Sequence, residues 1–393
     1  MGTSRPNAFD VDLGAIAHNV AVLRGVLPGG TRICAAVKAN AYGFGLLPVA
    51  RTLQEAGVDF LGLVDPGDAV QLREGKISCP ILLYAGCVLD EQLAALARGY
   101  DLALTISDDQ SLSVAAAGGG TAPTRVFVEV DVGLERLGAP VAEAASLIRK
   151  AASSDGVRLD GVYTHMHVPP RSGVSAYVGW QFDRFRLLLE AAAADGYDTG
   201  ISMAASTPVL LLTSSMSMDA VDVGRYLYGI VRPGVEPSLA ELDLRPAFLA
   251  LRSHITHCKD IDRSDYIDQA AFGVRPGMRV GVAPIGFADG LAFLNCGEAL
   301  VRGQRAPIVG SLSLEHVSLD VTSIPGAGTG DEVVFIGRQD AAEITQDEVL
   351  AAQREHFPPA SLAVSVGETV PRVCRPAYTT PQAAGPARVN SAN

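Results

Sequence analysis

Residues 35–45 read AAVKANAYGFG, and the interpretation of the whole chain starts from this segment. The apolar run from Ile33 to Val37 predicts a buried strand that delivers the amine of Lys38 to its C-terminal end, followed by a tight loop. Only four lysines occur in the sequence, against 27 arginines. An amine among apolar neighbours has a lowered pKa and can form a Schiff base. A lysine whose stem lies along a strand edge while its ammonium reaches solvent is the ordinary alternative.

Length and composition exclude several classes of protein. The 393 residues exceed one ordinary domain, so a large and a smaller domain are expected. The net charge of −12 argues against nucleic acid and anionic membrane surfaces as partners. We expect neither a membrane span nor a signal peptide, because no apolar run is long enough and residues 1–10 lack a basic segment followed by an apolar one. Six cysteines without CxxC spacing predict no metal site and favour the cytoplasm.

From residue 30 to about residue 235, strand-like and helix-like segments alternate at intervals of roughly 25 residues. This alternation is typical of βα units, and eight units predict a (β/α)8 barrel rather than an open sheet. The predicted strands lie near Arg32–Val37, Phe60–Val64, Pro80–Tyr84, Asp101–Ile106, Arg125–Val130, Leu159–Thr164, Ile201–Ala205 and Ala220–Val223.

After about residue 240, short apolar runs separated by glycine-rich or proline-rich turns predict a mostly β second domain. The alternating segment at residues 8–13 is expected to pair with that domain before a helix leads into the barrel. We therefore predict a barrel over residues 13–238 and a β domain formed by residues 1–12 and 239–380. The small and polar residues of 381–393 predict a disordered tail.

Polar residues follow the predicted barrel strands at their C-terminal ends, where function collects in barrels of this type. A Ser-Thr pair and a Gly-Arg pair on the last two loops suit a phosphate through hydroxyls, backbone N–H groups and charge. An imine-forming lysine that faces a phosphate pocket indicates pyridoxal 5'-phosphate. Taken singly, each residue has an ordinary role as a core histidine, helix cap or surface ion pair. The set comprises Lys38, Tyr42, Arg136, His165, His167, Ser206, Thr207, Asp222, Gly224 and Arg225.

Several segments resemble the alanine racemase family. Residues 36–45 resemble its AVVKANAYGHG segment, and residues 128–138 resemble its KVDTGMGRLG segment. Residues 161–165, 283–290 and 307–310 match further segments, so the resemblance covers nearly the whole chain. It implies a fold-type-III pyridoxal-phosphate enzyme with a (β/α)8 barrel and a β domain. It also implies a small amino-acid substrate and a homodimer in which the partner's β domain completes each site.

The resemblance also implies roles for individual residues. Lys38 would join the cofactor as an imine, and His165 would lie near the cofactor ring. Arg136 would recognise the carboxylate of the substrate. The phosphate would be bound by Tyr42, Ser206 and the backbone of Gly224 and Arg225.

The sequence departs from the family pattern at positions that matter chemically. Phe287 replaces the tyrosine that removes the Cα proton on the face opposite the lysine, and a phenyl ring has no proton to exchange. Asp222 replaces the arginine that keeps the pyridine nitrogen unprotonated, and a carboxylate favours the protonated ring and deepens the electron sink. Glu129 aligns with a lysine that is often a carbamate, and could still hold Arg136. Ala360 aligns with a phosphate-binding tyrosine.

These departures predict altered chemistry at Cα of an amino acid, with Lys38 and Asp222 at its centre. If His167 or His316 replaces the missing tyrosine, the enzyme is a racemase or epimerase of an amino acid other than alanine. If neither does, one-sided chemistry is expected: decarboxylation, retro-aldol cleavage or transfer of a carbon unit. A protein that binds pyridoxal phosphate without turnover is the third alternative. Leu314, beside His316 where the family has MDQ, is predicted to contact substrate together with Phe287.

Two ordinary interpretations of the departures remain open. Phe287 could fill apolar space, and Asp222 could be a strand-end carboxylate in an ion pair with Arg225.

Overall fold

The computed structural model describes residues 5–117, 122–168, 176–210, 213–232, 236–262, 273–353 and 358–376. Two sheets organise these residues, one closed into a barrel and one largely antiparallel. The tail predicted at residues 381–393 lies outside the described residues. Within the described ranges, no helix is long and apolar enough to cross a membrane.

Eight parallel strands close the barrel, which confirms the predicted fold. They are β2 (Arg32–Ala36), β3 (Phe60–Leu63), β4 (Ile81–Leu83), β5 (Leu102–Ile106), β6 (Thr124–Asp131), β8 (Val157–Tyr163), β9 (Ile201–Ser206) and β10 (Ala220–Val223), while the short β7 (Ala139–Pro140) pairs with β6. The last strand closes the barrel against the first, and this register sets Asp222 opposite Cys34. The C-terminal ends of all eight strands therefore meet at one mouth.

Helices cover the barrel because each turns an apolar face toward the strands. Aspartates Asp12, Asp65, Asp90 and Asp108 cap four of them by accepting hydrogen bonds from backbone N–H groups of the first turn. The helices are α1 (Leu13–Val26), α2 (Lys38–Tyr42), α3 (Leu46–Glu55), α4 (Pro66–Glu74), α5 (Glu91–Gly99), α6 (Asp109–Ala116), α7 (Val141–Ala152), α8 (Ala176–Ala194) and α9 (Thr207–Leu210).

The second sheet begins with β1 (Ala8–Asp12), which lies between one antiparallel and one parallel neighbour. Its other strands are β11 (Phe248–His254), β12 (His257–Asp260), β13 (Arg279–Ala283), β14 (Glu298–Val301), β15 (Gln304–Val309), β16 (Val317–Asp320), β17 (Glu332–Gln339), β18 (Ala342–Ile344) and β19 (Arg372–Arg375). Two helices accompany it, α10 (Gln346–Ala352) and α11 (Ser361–Ser365). The mostly β second domain is thus confirmed, whereas the residue boundaries between the domains stay a prediction.

The second domain packs directly against the lysine segment. Gly43 lies against α11 so closely that an added Cβ would be 2.1 Å from the carbonyl oxygen of Ala363. On β19, the Arg372 guanidinium donates to the carbonyl oxygen of Gly43 at 3.0 Å. The two domains therefore jointly fix the loop that carries Lys38.

Candidate active site

The segment after β2, predicted as a tight loop, is a short left-handed turn. Strand β2 ends at Ala36, and the four residues from Ala39 to Tyr42 all have φ between 53° and 55°. Left-handed backbone costs roughly 1–2 kcal/mol for each residue other than glycine. Contacts hold the turn in place: the Asn40 side chain accepts from the Leu46 backbone N–H at 2.7 Å, and the Gly43 N–H donates to the Ala39 carbonyl at 2.9 Å.

Lys38 stands at the mouth of the barrel between two adjoining cavities. The larger measures about 400 Å³ and the smaller about 220 Å³. Four predicted site residues line both cavities: Lys38, Arg136, His165 and Asp222. The Lys38 Nζ lies 5.6 Å from the centroid of the Tyr84 ring. Side chains from four strand ends thus converge on one amine.

Asp222 is a carboxylate that lines both cavities. Its Oδ1 accepts a hydrogen bond from the Tyr84 hydroxyl at 2.9 Å, and its Oδ2 lies 3.7 Å from Nδ1 of His165. Burial by itself raises the pKa of Asp222, but His165, Lys38 and Tyr84 outweigh it and hold the pKa below its ordinary value. The alternative ion pair with Arg225 does not form, because Arg225 binds Glu236 at 2.7 and 2.9 Å.

Ser206, Tyr42 and Gly224 form a polar recess on one side of the larger cavity. The Ser206 hydroxyl is buried and has no hydrogen-bond partner among the described residues. An added Cβ on Gly224 would lie 2.3 Å from the Tyr42 hydroxyl, so only glycine leaves this space open. Burial and the charge of Asp222 raise the pKa of Tyr42, which keeps its phenol a donor. An unpaired donor beside a second donor fits a phosphate group.

Arg136 is carried by a loop whose backbone is fixed from within. The carboxylate of Asp131 accepts hydrogen bonds from the backbone N–H groups of Gly133 and Leu134 at 2.9 Å and of Arg136 at 3.2 Å. Helix α8 holds the same loop, because the Tyr177 hydroxyl donates to the carbonyl of Gly133. The exposed guanidinium of Arg136 is therefore presented to the cavities on a rigid support.

Glu129 lies buried in the wall of the smaller cavity. Its Oε2 has no hydrogen-bond partner among the described residues. Burial raises the pKa of Glu129, and the nearby Tyr163 and Arg136 only partly oppose this. The carboxyl is a buried acid with spare hydrogen-bonding capacity.

The structure does not bring every predicted site residue to Lys38. His167 lines the larger cavity and is exposed. Its backbone N–H donates to Oε1 of Gln181 and its carbonyl accepts from Nε2 of Gln181, both at 2.9 Å. Phe287, Leu314 and His316 lie on the second domain and, in the described part of one chain, line neither cavity. Phe287 is 56% exposed and Leu314 68%, so Phe287 does not fill apolar space within the chain. Their roles stay predictions.

Sequence reasoning missed three residues of the site. Tyr84 follows β4 directly, so the rule used for the other strand ends would have found it. Arg232 lines the larger cavity and shares the Glu236 carboxylate with Arg225. The strand-end rule does not find Arg232 or Glu236, because both lie beyond the residues that directly follow β10.

Comparison with known proteins gives one consistent family. The model of the alanine racemase N-terminal domain matches residues 11–232, and that of the alanine racemase C-terminal domain matches residues 248–374. The chain is 30% identical over 378 residues to the alanine racemase of Halothermothrix orenii, covering 94% of this chain and 97% of that protein. It is 34% identical over 348 residues to that of Sorangium cellulosum, covering 86% and 89%.

Solved structures agree with the sequence comparisons. Alanine racemase from Bacillus anthracis, solved with bound L-Ala-P, is similar with a TM-score of 0.83 and 26% identity, covering 95% of this chain and 96% of that one. Alanine racemase from D-cycloserine-producing Streptomyces lavendulae is similar with a TM-score of 0.81 and 28% identity, covering 96% of this chain and 99% of that one.

Proposed function

Because the chain belongs to the alanine racemase family of pyridoxal 5'-phosphate enzymes, we propose that it acts at Cα of an amino acid by a chemistry altered from standard alanine racemisation. The residues present fit the family's cofactor. Lys38 supplies the amine, and the unpaired hydroxyl of Ser206 with the glycine at 224 supplies a recess for phosphate. The substrate is an amino acid other than alanine.

Pyridoxal phosphate, when bound, withdraws electrons from Cα of an attached amino acid. The side chains around it divide the remaining tasks. Lys38 takes and returns the Cα proton on its own face through Nζ. Arg136, exposed beside both cavities, binds the substrate carboxylate. Asp222 would stabilise a proton on the ring nitrogen through its negative charge.

The identity and surroundings of Asp222 carry this proposal. A guanidinium at this position, as in the family pattern, opposes protonation of the ring nitrogen, whereas a carboxylate favours it. Here Asp222 has its pKa held low and is anchored by Tyr84 at 2.9 Å, so it remains charged at neutral pH. A deeper electron sink widens the set of bonds at Cα that can break.

The second proton carrier distinguishes the candidate reactions. We propose a homodimer in which Phe287, Leu314 and His316 of a second copy reach the cavity, since all three are exposed on the second domain. Racemisation or epimerisation then requires His167 or His316 to act opposite Lys38. Phe287 favours the second candidate, in which only Lys38 moves protons and the reaction is decarboxylation, retro-aldol cleavage or carbon-unit transfer.

Incubation of the holoenzyme with single enantiomers of amino acids in D2O tests the proposal. Inversion with deuterium uptake supports a racemase or epimerase. Loss of CO2 or release of an aldehyde supports one-sided chemistry. A Lys38→Ala variant provides the control and should be inactive. Bound cofactor with no deuterium exchange, no loss of CO2 and no aldehyde released from any amino acid would refute catalysis and leave a cofactor-binding protein.

A further inference from the structure

Tyr84 contacts both Lys38 and Asp222. Its hydroxyl donates to Asp222 Oδ1 at 2.9 Å, and its ring centroid lies 5.6 Å from Lys38 Nζ. The described ion pair of Asp222 is with His165, and none within 4.0 Å joins it to Lys38 in the described residues. An ammonium and a carboxylate at the same mouth attract each other strongly once water is excluded. The phenol ring lies beside both groups, in a position to limit this attraction.

The direction of the hydrogen bonds around Tyr84 follows from the single hydrogen that its hydroxyl can donate. A phenol has one hydrogen, and the carboxylate of Asp222 can only accept it. The Cys34 Sγ lies 3.3 Å from the same hydroxyl, so the thiol must donate to it. Burial raises the pKa of both Cys34 and Tyr84, which agrees with two protonated donors in series. The chain of donors ends on Asp222 and stabilises its charged form.

Neighbouring residues fix the orientation of the phenol. Gly62 lies on the adjacent strand β3, and an added Cβ there would lie 2.0 Å from the Tyr84 hydroxyl. The ring of Tyr163 contacts the Tyr84 ring edge-on, with centroids 6.1 Å apart. A glycine that opens one side and an aromatic ring that closes the other leave the hydroxyl little freedom. This arrangement is prepared in the protein alone.

We infer that Tyr84 is a positioning residue that orients Asp222, keeps it ionised and limits its attraction to Lys38. This inference rests on the proposed function, in which Asp222 supports the protonated ring nitrogen. The titratable groups that face Asp222 are Cys34, Lys38, Tyr42, Tyr84, Tyr163 and His165. Among these, Tyr84 makes the direct hydrogen bond that a Tyr84→Phe substitution removes while keeping the ring beside Lys38.

The test uses holoenzyme loaded with pyridoxal phosphate that is 15N-labelled at the ring nitrogen. The 15N signal is followed from pH 8 down to about pH 2, a range that includes the lowered pKa of Asp222, whose protonation removes the charge beside the ring. A hydrogen bond to a charged group is worth enough to move a pKa by about one to two units. Tyr84→Phe should therefore shift the acid-side midpoint upward by that amount. Tyr100→Phe, which removes a phenol hydroxyl just before β5, at the end of the barrel opposite the mouth that holds Asp222, should match the unmodified protein.

An Asp222→Asn variant distinguishes a failure of the proposed role of Asp222 from a failure of the inferred role of Tyr84. If the acid-side transition survives in Asp222→Asn, the role of Asp222 in the proposed function fails. If the transition disappears there but Tyr84→Phe keeps the unmodified midpoint, Asp222 stands and the inference about Tyr84 is overturned. Gly62→Ala displaces the same hydroxyl by contact and gives a second measurement should Tyr84→Phe fold poorly. It should also raise the midpoint, and an unchanged midpoint contradicts the inference.

Discussion

Gly224→Ala should weaken binding of pyridoxal phosphate through a collision that the structure defines. The new Cβ would lie 2.3 Å from the hydroxyl oxygen of Tyr42 and 3.0 Å from its ring carbon Cζ. The φ of Gly224 is −113°, outside the left-handed region, so the methyl group adds a steric clash and no left-handed backbone strain. The Tyr42 ring packs on Tyr228 with centroids 5.0 Å apart and otherwise borders the larger cavity, so we expect it to move into the recess that the phosphate needs.

The size of the effect follows from the cost of overpacking. One methyl group forced into a filled site costs about 1–3 kcal/mol. Without cofactor, Tyr42 escapes into the open cavity and the protein keeps most of its stability. With cofactor bound, Tyr42 cannot move into the cavity, so the cost of the clash lowers the affinity for pyridoxal phosphate. Since each 1.4 kcal/mol is a factor of ten, the dissociation constant should rise roughly 5- to 150-fold.

Equilibrium dialysis against the apoprotein measures this change. Pyridoxal, which lacks the phosphate, serves as the second ligand and should lose much less affinity. Gly25→Ala is the matched control, because an added Cβ there meets nothing within 4 Å. Adding Tyr42→Phe to Gly224→Ala removes the colliding oxygen, so the two substitutions should couple in a double-mutant cycle.

Unchanged affinity for pyridoxal phosphate in Gly224→Ala would refute the assignment of the recess to phosphate. Equal losses for pyridoxal and pyridoxal phosphate would show that the whole site had distorted, and would refute it as well.

Three further outcomes are expected. Ser206→Ala should raise the free energy of unfolding of the apoprotein in urea by about 1 kcal/mol, because a buried hydroxyl without a partner is removed. The same substitution should weaken the binding of pyridoxal phosphate about tenfold. A lower stability in urea together with an unchanged cofactor affinity would contradict this prediction. Burial raises the pKa of Glu129, so the protonated carboxyl favours the folded protein. This contribution to the free energy of unfolding is fully present below the pKa of Glu129 in the unfolded chain, and it is lost as pH rises through the pKa in the folded protein. Urea titrations from pH 4 to pH 8 should show this loss in the unmodified apoprotein and not in Glu129→Gln, and parallel curves would disprove it. Lys38→Ala should leave no cofactor covalently attached after borohydride reduction, as read by intact mass, and an adduct elsewhere in the chain would exclude Lys38 as the attachment site.

The sequence by itself determined the barrel and most of its mouth. Alternation of strands and helices is a local, periodic property, and parallel strands in such a barrel must end at one face. Lys38, His165, Ser206 and Asp222 could therefore be placed together without coordinates. The same logic would have included Tyr84, whose position at the end of β4 was passed over.

Only the tertiary structure decided which of these groups touch. The hydrogen bond between Tyr84 and Asp222 joins residues 138 positions apart and depends on how the last barrel strand registers against the first. Arg225 binds Glu236, 11 positions away, and not Asp222, which is nearer in the sequence. Pairings of this kind are set by packing distances of a few ångströms, which strand and helix periodicity does not encode.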